Sequence, residues 1–508
     1  MLVFNCSSKK NHSMKRTIAI WLVAVAAVMT GCEKKLEITP ATVSPEELIL
    51  STVDGMNGGL SSAYQTYHNN GGRTFTLWSE LLSDHLLLRG TNTLPNQVFF
   101  YNRDLDAIVG ETVNSTDLRK TSDIKLRELY VPANTAALIL RACRNDLAAG
   151  DISYAANKDR IMGECHFLRA ACYLEMVRFW AMPWGATADN SHPGVVMNTE
   201  PVPDRESQVK PRSSVAEVYD FIIKDLLEAE RLLPDTYIAG VHSPLYEGRA
   251  YKDAARGYLA RIYFQQRNYG KAKEMIDVLI GAVPGSLSNH PLQASLTQLY
   301  STRGASNIDP ECLYQTTSST AITSSLATWW NSTNVESVFS RSTSIEPKGV
   351  ATLQFFTDAK FSDQDQRYAL FRTLGDGRRS PTKYSLVDHF NIPLVRSAEM
   401  VLNRAEINAM DNHLEDAMAD CNAIRSRAQI TLLSMPMTQE QLLDSIRTER
   451  IRELCFEGDR LNNLRRLQLP VGPGERTGVQ PIPWNSKDLV LKYTEEDMAR
   501  NPLLVNNY

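Results

Sequence analysis

The sequence is short of the residue patterns that chemistry usually needs. Its eight cysteines include no C-x-x-C pair, so neither a zinc site nor a dithiol redox centre is supported. Nine histidines are scattered without H-E-x-x-H, and G-x-S-x-G and the P-loop are missing too. Nothing therefore argues for a nucleophile, a bound metal, a nucleotide or another cofactor. No charge sign dominates: 54 basic and 58 acidic residues leave a net charge of −4, interspersed rather than blocked. That balance gives no reason to expect nucleic acid as a partner.

The first apolar run is too short to span a membrane. After Met14-Lys15-Arg16, itself a candidate start of translation, Ile18–Met29 supplies an apolar core, followed by Thr30-Gly31-Cys32. A basic segment, a short apolar segment and small residues form a signal peptide, whereas a spanning helix needs ~20 apolar residues. Cysteine directly after Thr-Gly looks like a bacterial lipobox, with cleavage before Cys32 and lipid on its thiol. An ordinary signal peptide with Cys32 as a free thiol is the alternative. Residues 1–31 are thus read as signal peptide, 32–44 as a polar tether, and 45–508 as one folded domain. The six cysteines of that domain lie at apolar helical spacing or in apolar runs, which favours buried free thiols over disulfides.

What the chain has in quantity is helical periodicity. Asp253–Pro284 places Ala255, Leu259, Ile262 and Tyr263 on one face, breaks at Asn268–Gly270, then resumes with Ala272, Met275, Ile276, Leu279 and Ile280. This predicts a helical hairpin ended by Pro284. It resembles a tetratricopeptide unit, with Ala260, Tyr263, Ala272 and Ile276 at that repeat's small, aromatic, small and bulky positions. Further helices are predicted over 45–67, 130–148, 159–181, 214–233, 396–410, 414–428 and 439–457, the last with Gly458 as its C-cap candidate. Ser214 is the predicted N-cap of the helix over 214–233. The fold class is therefore all-α with little β: helical-hairpin repeats over about 45–284 and 396–460, and a tail over 461–508.

Between the repeats, 285–395 loses this periodicity, and 19 of the 45 residues from Ser301 to Ile345 are Ser or Thr. The segment still holds Tyr300, Trp329-Trp330, Phe355-Phe356 and Tyr368, which predicts ordered loops with short helices and strands. A pyranose has a rather apolar face that packs on an aromatic ring, while amide and charged groups bond its hydroxyls. Trp329, Trp330 and Asn331 fit that need, with Tyr300 and Tyr101 as further candidates. Trp78, Trp180 and Trp184 adjoin helical faces and are expected in the core.

Glu449, Glu453 and Glu457 invite an acid–base reading. Glycoside hydrolysis, however, needs two carboxylates facing a sugar from opposed positions, ~5–9.5 Å apart. These three recur every four residues beside Arg450 and Arg452, a spacing suited to ion pairs with the helix carrying Arg425 and Arg427. No enzyme is expected.

Several stretches together resemble the SusD/RagB family of outer-membrane nutrient-binding lipoproteins. They are Cys32–Pro40; His166–Ala170 with Tyr173, Arg178 and Phe179; Arg396-Ser397-Ala398-Glu399 with Arg404-Ala405-Glu406; Asn422–Ala428; Glu449–Arg460 with Leu464-Arg465-Arg466; Pro481–Pro483; and Asn501–Asn506. Met182-Pro183-Trp184-Gly185 departs from the family's usual Y-G-D-V-P, and Asn463 from its aspartate. The resemblance implies four tetratricopeptide hairpins with ligand-holding loops on one side. It also implies a lipid-anchored, surface-exposed protein of the outer membrane. Its partner would be a SusC-like TonB-dependent transporter, which it caps as a lid while delivering an oligosaccharide. Peptide or glycopeptide capture, or a protein-binding repeat scaffold, are the other functions such a chain can serve.

Overall fold

The computed structural model describes residues 45–70, 74–89, 101–105, 118–202, 206–238, 240–243, 246–302, 304, 308–317, 349–362, 364–383 and 391–507. Cys32, with the whole leader and tether, and Trp329, Trp330 and Asn331 lie outside them. The chain divides at Ile49/Leu50, and the scaffold lies within Leu50–Tyr508.

Fifteen α-helices and six short strands account for the regular structure of the described residues. The first long stretch is two helices, α1 (Pro45–Leu50) and α2 (Val53–Asn70), where the periodicity predicts one. Thr52 causes the restart: its hydroxyl accepts the Gly55 N–H, and the Val53 N–H turns to Asp151. Then come α3 (Thr76–Leu82), β1 (Leu86–Leu88) and α4 (Leu118–Arg144). Helix α4 starts twelve residues before the predicted 130 and carries Pro132 inside it. A proline costs one helical hydrogen bond there without ending the helix.

Four hairpins stack in chain order. Helix α2 packs on α4 and α4 on α5 (Tyr154–Trp180); α5 packs on α6 (Val215–Leu232), and α6 on α7 (Lys252–Gln265). Next, α7 packs on α8 (Tyr269–Ile280). The predicted faces of α7 and α8 meet: Ala255, Leu259, Ile262 and Tyr263 are buried, as are Ala272, Ile276, Leu279 and Ile280. Helix α8 stops at Gly281, whose φ of 88° leaves the helix, so Pro284 only follows an end already made. At α6 the sequence expectation holds in detail: Ser214 Oγ accepts the Glu217 N–H at 3.2 Å, and the Glu217 carboxylate accepts the Ser214 N–H at 2.8 Å.

The insertion contributes α9 (Leu296–Leu299), β2 (Cys312–Gln315), β3 (Gly349–Ala351), α10 (Leu353–Ala359), β4 (Phe371–Thr373), β5 (Arg379–Pro381) and β6 (Pro393–Arg396). The strands form three antiparallel pairs, β1–β3, β2–β6 and β4–β5, with registers such as Leu87↔Val350 and Arg372↔Ser380. Strand β6 leads straight into α11 (Ser397–Met410), which is buried on almost every side between α8, α12 (Leu414–Arg427) and α13 (Gln439–Glu453). The last long predicted helix ends at Glu453, not at 457. Phe456 (φ 62°) and Gly458 (φ 80°) then reverse the chain into α14 (Asp459–Leu467), so Gly458 precedes a new helix instead of capping the old one. A short α15 (Glu495–Arg500) closes the series. The six cysteines of the folded body are buried free thiols.

Candidate functional site

Two of the sequence candidates, Tyr300 and Tyr101, stand inside the protein. Tyr300, 1 % exposed, donates its hydroxyl to Glu457 at 2.7 Å, and the Lys383 ammonium sits 5.3 Å from its ring centre. Tyr101, 8 % exposed, has the Arg476 guanidinium 4.3 Å from its ring centre. Each ring faces a buried cation, which its π-electrons stabilise. As packed here, neither offers an open face to a sugar. Trp78 and Trp180 are core residues as expected. Trp184 is not: it is half-buried, edge-on to Tyr219 at 5.2 Å, and walls a groove.

The three glutamates at 449, 453 and 457 are committed to arginines. Glu449 pairs with Arg367 at 2.6 Å and Arg425 at 2.9 Å; Glu453 pairs with Arg396 at 2.7 Å and Arg427 at 2.5 Å; Glu457 pairs with Arg396 at 2.8 Å and Lys383 at 2.6 Å. The predicted ties to Arg425 and Arg427 are therefore present. Burial by itself would raise the Glu457 carboxyl, but Arg396 and Lys383 outweigh it and hold it at about 2. Arg427, Arg396 and Arg367 likewise overcome the burial of Glu453 and keep it well below the usual range. Neither carboxyl is a proton donor near neutral pH, and both are bonded to cations rather than set across a cleft. The cluster ties β6, α12 and α13 to the insertion.

Asp84, His85 and Asp358 bring three groups of metal-ligand type close together. Arg460 already lies between its carboxylates, donating to Asp84 at 2.8 and 2.9 Å and to Asp358 at 3.3 Å, while His85 Nε2 is 3.0 Å from Asp358. The guanidinium supplies the positive charge that the acids require. This donor set fits an ion-pair cluster better than a metal.

Among the described residues, two adjoining recesses enter the scaffold. The larger, with about 720 Å³ of space between its walls, is lined by Tyr67, Ser79, Glu175, Arg261 and Glu399 among others. Its charges are mostly paired, with Arg261 and Glu399 in contact at 2.9 and 2.5 Å. The smaller, about 410 Å³, runs between Met182, Pro183, Trp184, Tyr219 and Arg465. Arg178, Gln265 and Asn462 line both, so the two recesses adjoin, and Arg178 bonds Gln265 across the boundary at 2.9 Å. Sequence reading missed the smaller groove because it joins the end of α5 to α14, nearly 300 residues apart in the chain.

Comparison with known proteins accounts for this architecture. Residues 46–264 match a family profile described as starch-binding and associating with the outer membrane, and residues 365–503 match the SusD family profile. SusD-like protein P2 of Formosa agariphila is 23% identical over 96% of this chain and 98% of its own length. Among solved structures, a SusD superfamily protein of Bacteroides thetaiotaomicron superposes with a TM-score of 0.73 at 18% identity, covering 90% of this chain and 100% of its own. A structure described as a laminarin-binding SusD-like protein does so with a TM-score of 0.66 at 18% identity, covering 90% and 99%. With both ends of the helical scaffold matched by its profiles, the chain belongs to the SusD/RagB family, whose members are outer-membrane-associated binding proteins of the cell surface.

Proposed function

We propose that this protein captures a nutrient oligosaccharide at the cell surface and passes it, uncleaved, to a SusC-like TonB-dependent outer-membrane transporter that it covers as a lid. The lipid on Cys32 holds it to the outer membrane. The observation that carries this reading is the match of residues 46–264 to a profile of starch-binding, outer-membrane-associated proteins. Two features agree with it: a paired, buried carboxylate cluster with no opposed acid and base among the described residues, and a Ser/Thr-rich segment carrying Trp329 and Trp330.

Within this reading Trp329 and Trp330 are the sugar platforms, with Asn331 beside them. Isothermal titration against a panel of neutral and charged glycans is the test. Replacing either tryptophan by alanine is expected to weaken the best glycan by ~1 kcal/mol or more. Failure of every glycan, with tight binding of peptides instead, would overturn the carbohydrate assignment. Recovery of a transporter with the protein from native membranes would support the delivery step, and its absence would count against it.

A further inference from the structure

The C-terminal end of α5 gathers more positive charge than the fold needs. Arg465 Nη1 donates to the Arg178 carbonyl at 3.0 Å, and the Leu491 N–H donates to the Phe179 carbonyl at 2.8 Å. Arg212 Nη2 and Asn507 Nδ2 both donate to the Trp180 carbonyl at 3.1 Å. A cation suits a helix C-terminus, which carries roughly half a negative charge. Here three guanidinium groups, Arg178, Arg212 and Arg465, meet that half charge. Among the described residues only Glu175 forms an ion pair with any of them, 3.3 Å from Arg178.

Arg465 is the most exposed of the three to this imbalance in energetic terms, being only 6 % accessible to water. Both of its Nη groups end on neutral carbonyls, those of Arg178 and Leu489, and its Nε–H has no acceptor among the described residues. Burial pushes its guanidinium down to about 10, and the charge of Arg178 adds to the effect. The Nε–H of Arg178 also lacks an acceptor. Both arginines line the smaller groove, whereas Arg466 beside them is satisfied by Glu406 and Asn463 at 2.8 Å each. A buried donor without an acceptor loses hydration and gains nothing in return, so a ligand oxygen is strongly favoured there.

Besides the arginines, Gln265 and Asn462, the groove is lined by apolar and aromatic side chains. Met182, Pro183 and the half-buried Trp184 form its wall, and this is the stretch that replaces the family's usual Y-G-D-V-P. We propose that this groove binds an acidic sugar, its carboxylate or sulfate oxygens pairing with the guanidinium groups of Arg465 and Arg178 that line it and its apolar ring face lying along Trp184. The proposal rests on the glycan-capture reading and narrows its substrate class to anionic saccharides. The site is separate from Trp329 and Trp330 in sequence, so the two are tested by different variants.

The experiment is isothermal titration with a disaccharide ending in glucuronate, its neutral glucose analogue, and sodium sulfate, all at one ionic strength. The glucuronate sugar is expected to bind, and the neutral analogue to bind at least about tenfold more weakly, as suits the loss of charged hydrogen bonds. Arg465→Gln is expected to remove that preference. Because Arg465 also caps α5, Trp184→Ala serves as a second variant that leaves the cap in place, with a several-fold loss for the glucuronate sugar. Equal affinity for charged and neutral sugars, or an unchanged preference in both variants, overturns the proposal. So does binding of sulfate with no binding of the glucuronate sugar, which marks a bare anion site. Binding of neutral glycans that is lost in Trp329→Ala but retained in Arg465→Gln leaves glycan capture standing whichever way the acidic-sugar result falls.

Discussion

Glu80 illustrates what one buried carboxyl does to a protein otherwise rich in paired ones. Its side chain is 1 % exposed; Oε1 accepts the Gly458 N–H at 2.7 Å, and Oε2 has no partner among the described residues. Burial raises it from 4.5 to about 8, the Gly458 hydrogen bond only partly offsetting this. Between those two pH values the folded protein keeps a proton that the unfolded chain has released. Glu80 therefore makes stability fall as pH rises from about 4.5 to about 8, by a few kcal/mol in order of magnitude. Glu457 has the opposite sign: held at about 2, it contributes fully above the unfolded value and loses its contribution as pH falls toward 2. Glu80→Gln keeps an acceptor for Gly458 and removes the titration. Its urea midpoint is expected to change less than that of the parent between pH 5 and 8.5 and to exceed it at the upper end. Parallel curves for the two proteins would show that Glu80 is not a buried, protonated acid.

At the scale of the helix, two glycines separate close packing from mere helix interior. A Cβ on Gly163 of α5 would come 2.9 Å from Leu233 Cγ and 3.0 Å from the Leu233 backbone nitrogen, where the chain leaves α6. A Cβ on Gly58 of α2 would meet nothing within 4 Å. Gly163→Ala is expected to destabilise by ~1–3 kcal/mol through overpacking, and Gly58→Ala to stabilise by up to ~1 kcal/mol through lost unfolded-state entropy. Denaturant midpoints with unchanged slopes would establish both, and a neutral Gly163→Ala would mean that α5 and α6 have room to part. The same scale decides what the sequence reveals. The α7–α8 hairpin and the Ser214 cap were legible because apolar spacing and capping chemistry are local. The division at Thr52 and the reversal at Gly458 were not, since each depends on a partner far along the chain: Asp151 for Val53 and Glu80 for Gly458. The burial of Tyr101 and Tyr300 was hidden for a related reason. Loop-like surroundings marked Tyr101 and Tyr300 as ligand candidates, and only tertiary contact reveals Arg476 and Lys383 facing their rings. Arg465 was equally hidden, because an arginine without a carboxylate among the described residues looks in sequence like one that has it.

For the molecule as a whole, the remaining question is what keeps a polar, helical scaffold at the membrane. No helix among the described residues is long and apolar enough to cross a bilayer. Two attachments fit the proposed function: acyl chains on Cys32, and contact with the transporter that the protein covers. They differ physically, since acyl chains contribute ~0.8 kcal/mol per buried methylene regardless of partner, whereas docking follows the transporter's abundance. Cys32→Ser in cells with and without the transporter separates them. With the transporter absent, the parent protein is expected to stay in the membrane fraction and Cys32→Ser to be released, folded, with the same helical circular dichroism. With the transporter present, Cys32→Ser is expected to be partly retained, in proportion to transporter copies. Complete membrane retention of Cys32→Ser without the transporter would defeat the lipid assignment, and release of equal amounts with and without it would defeat the lid.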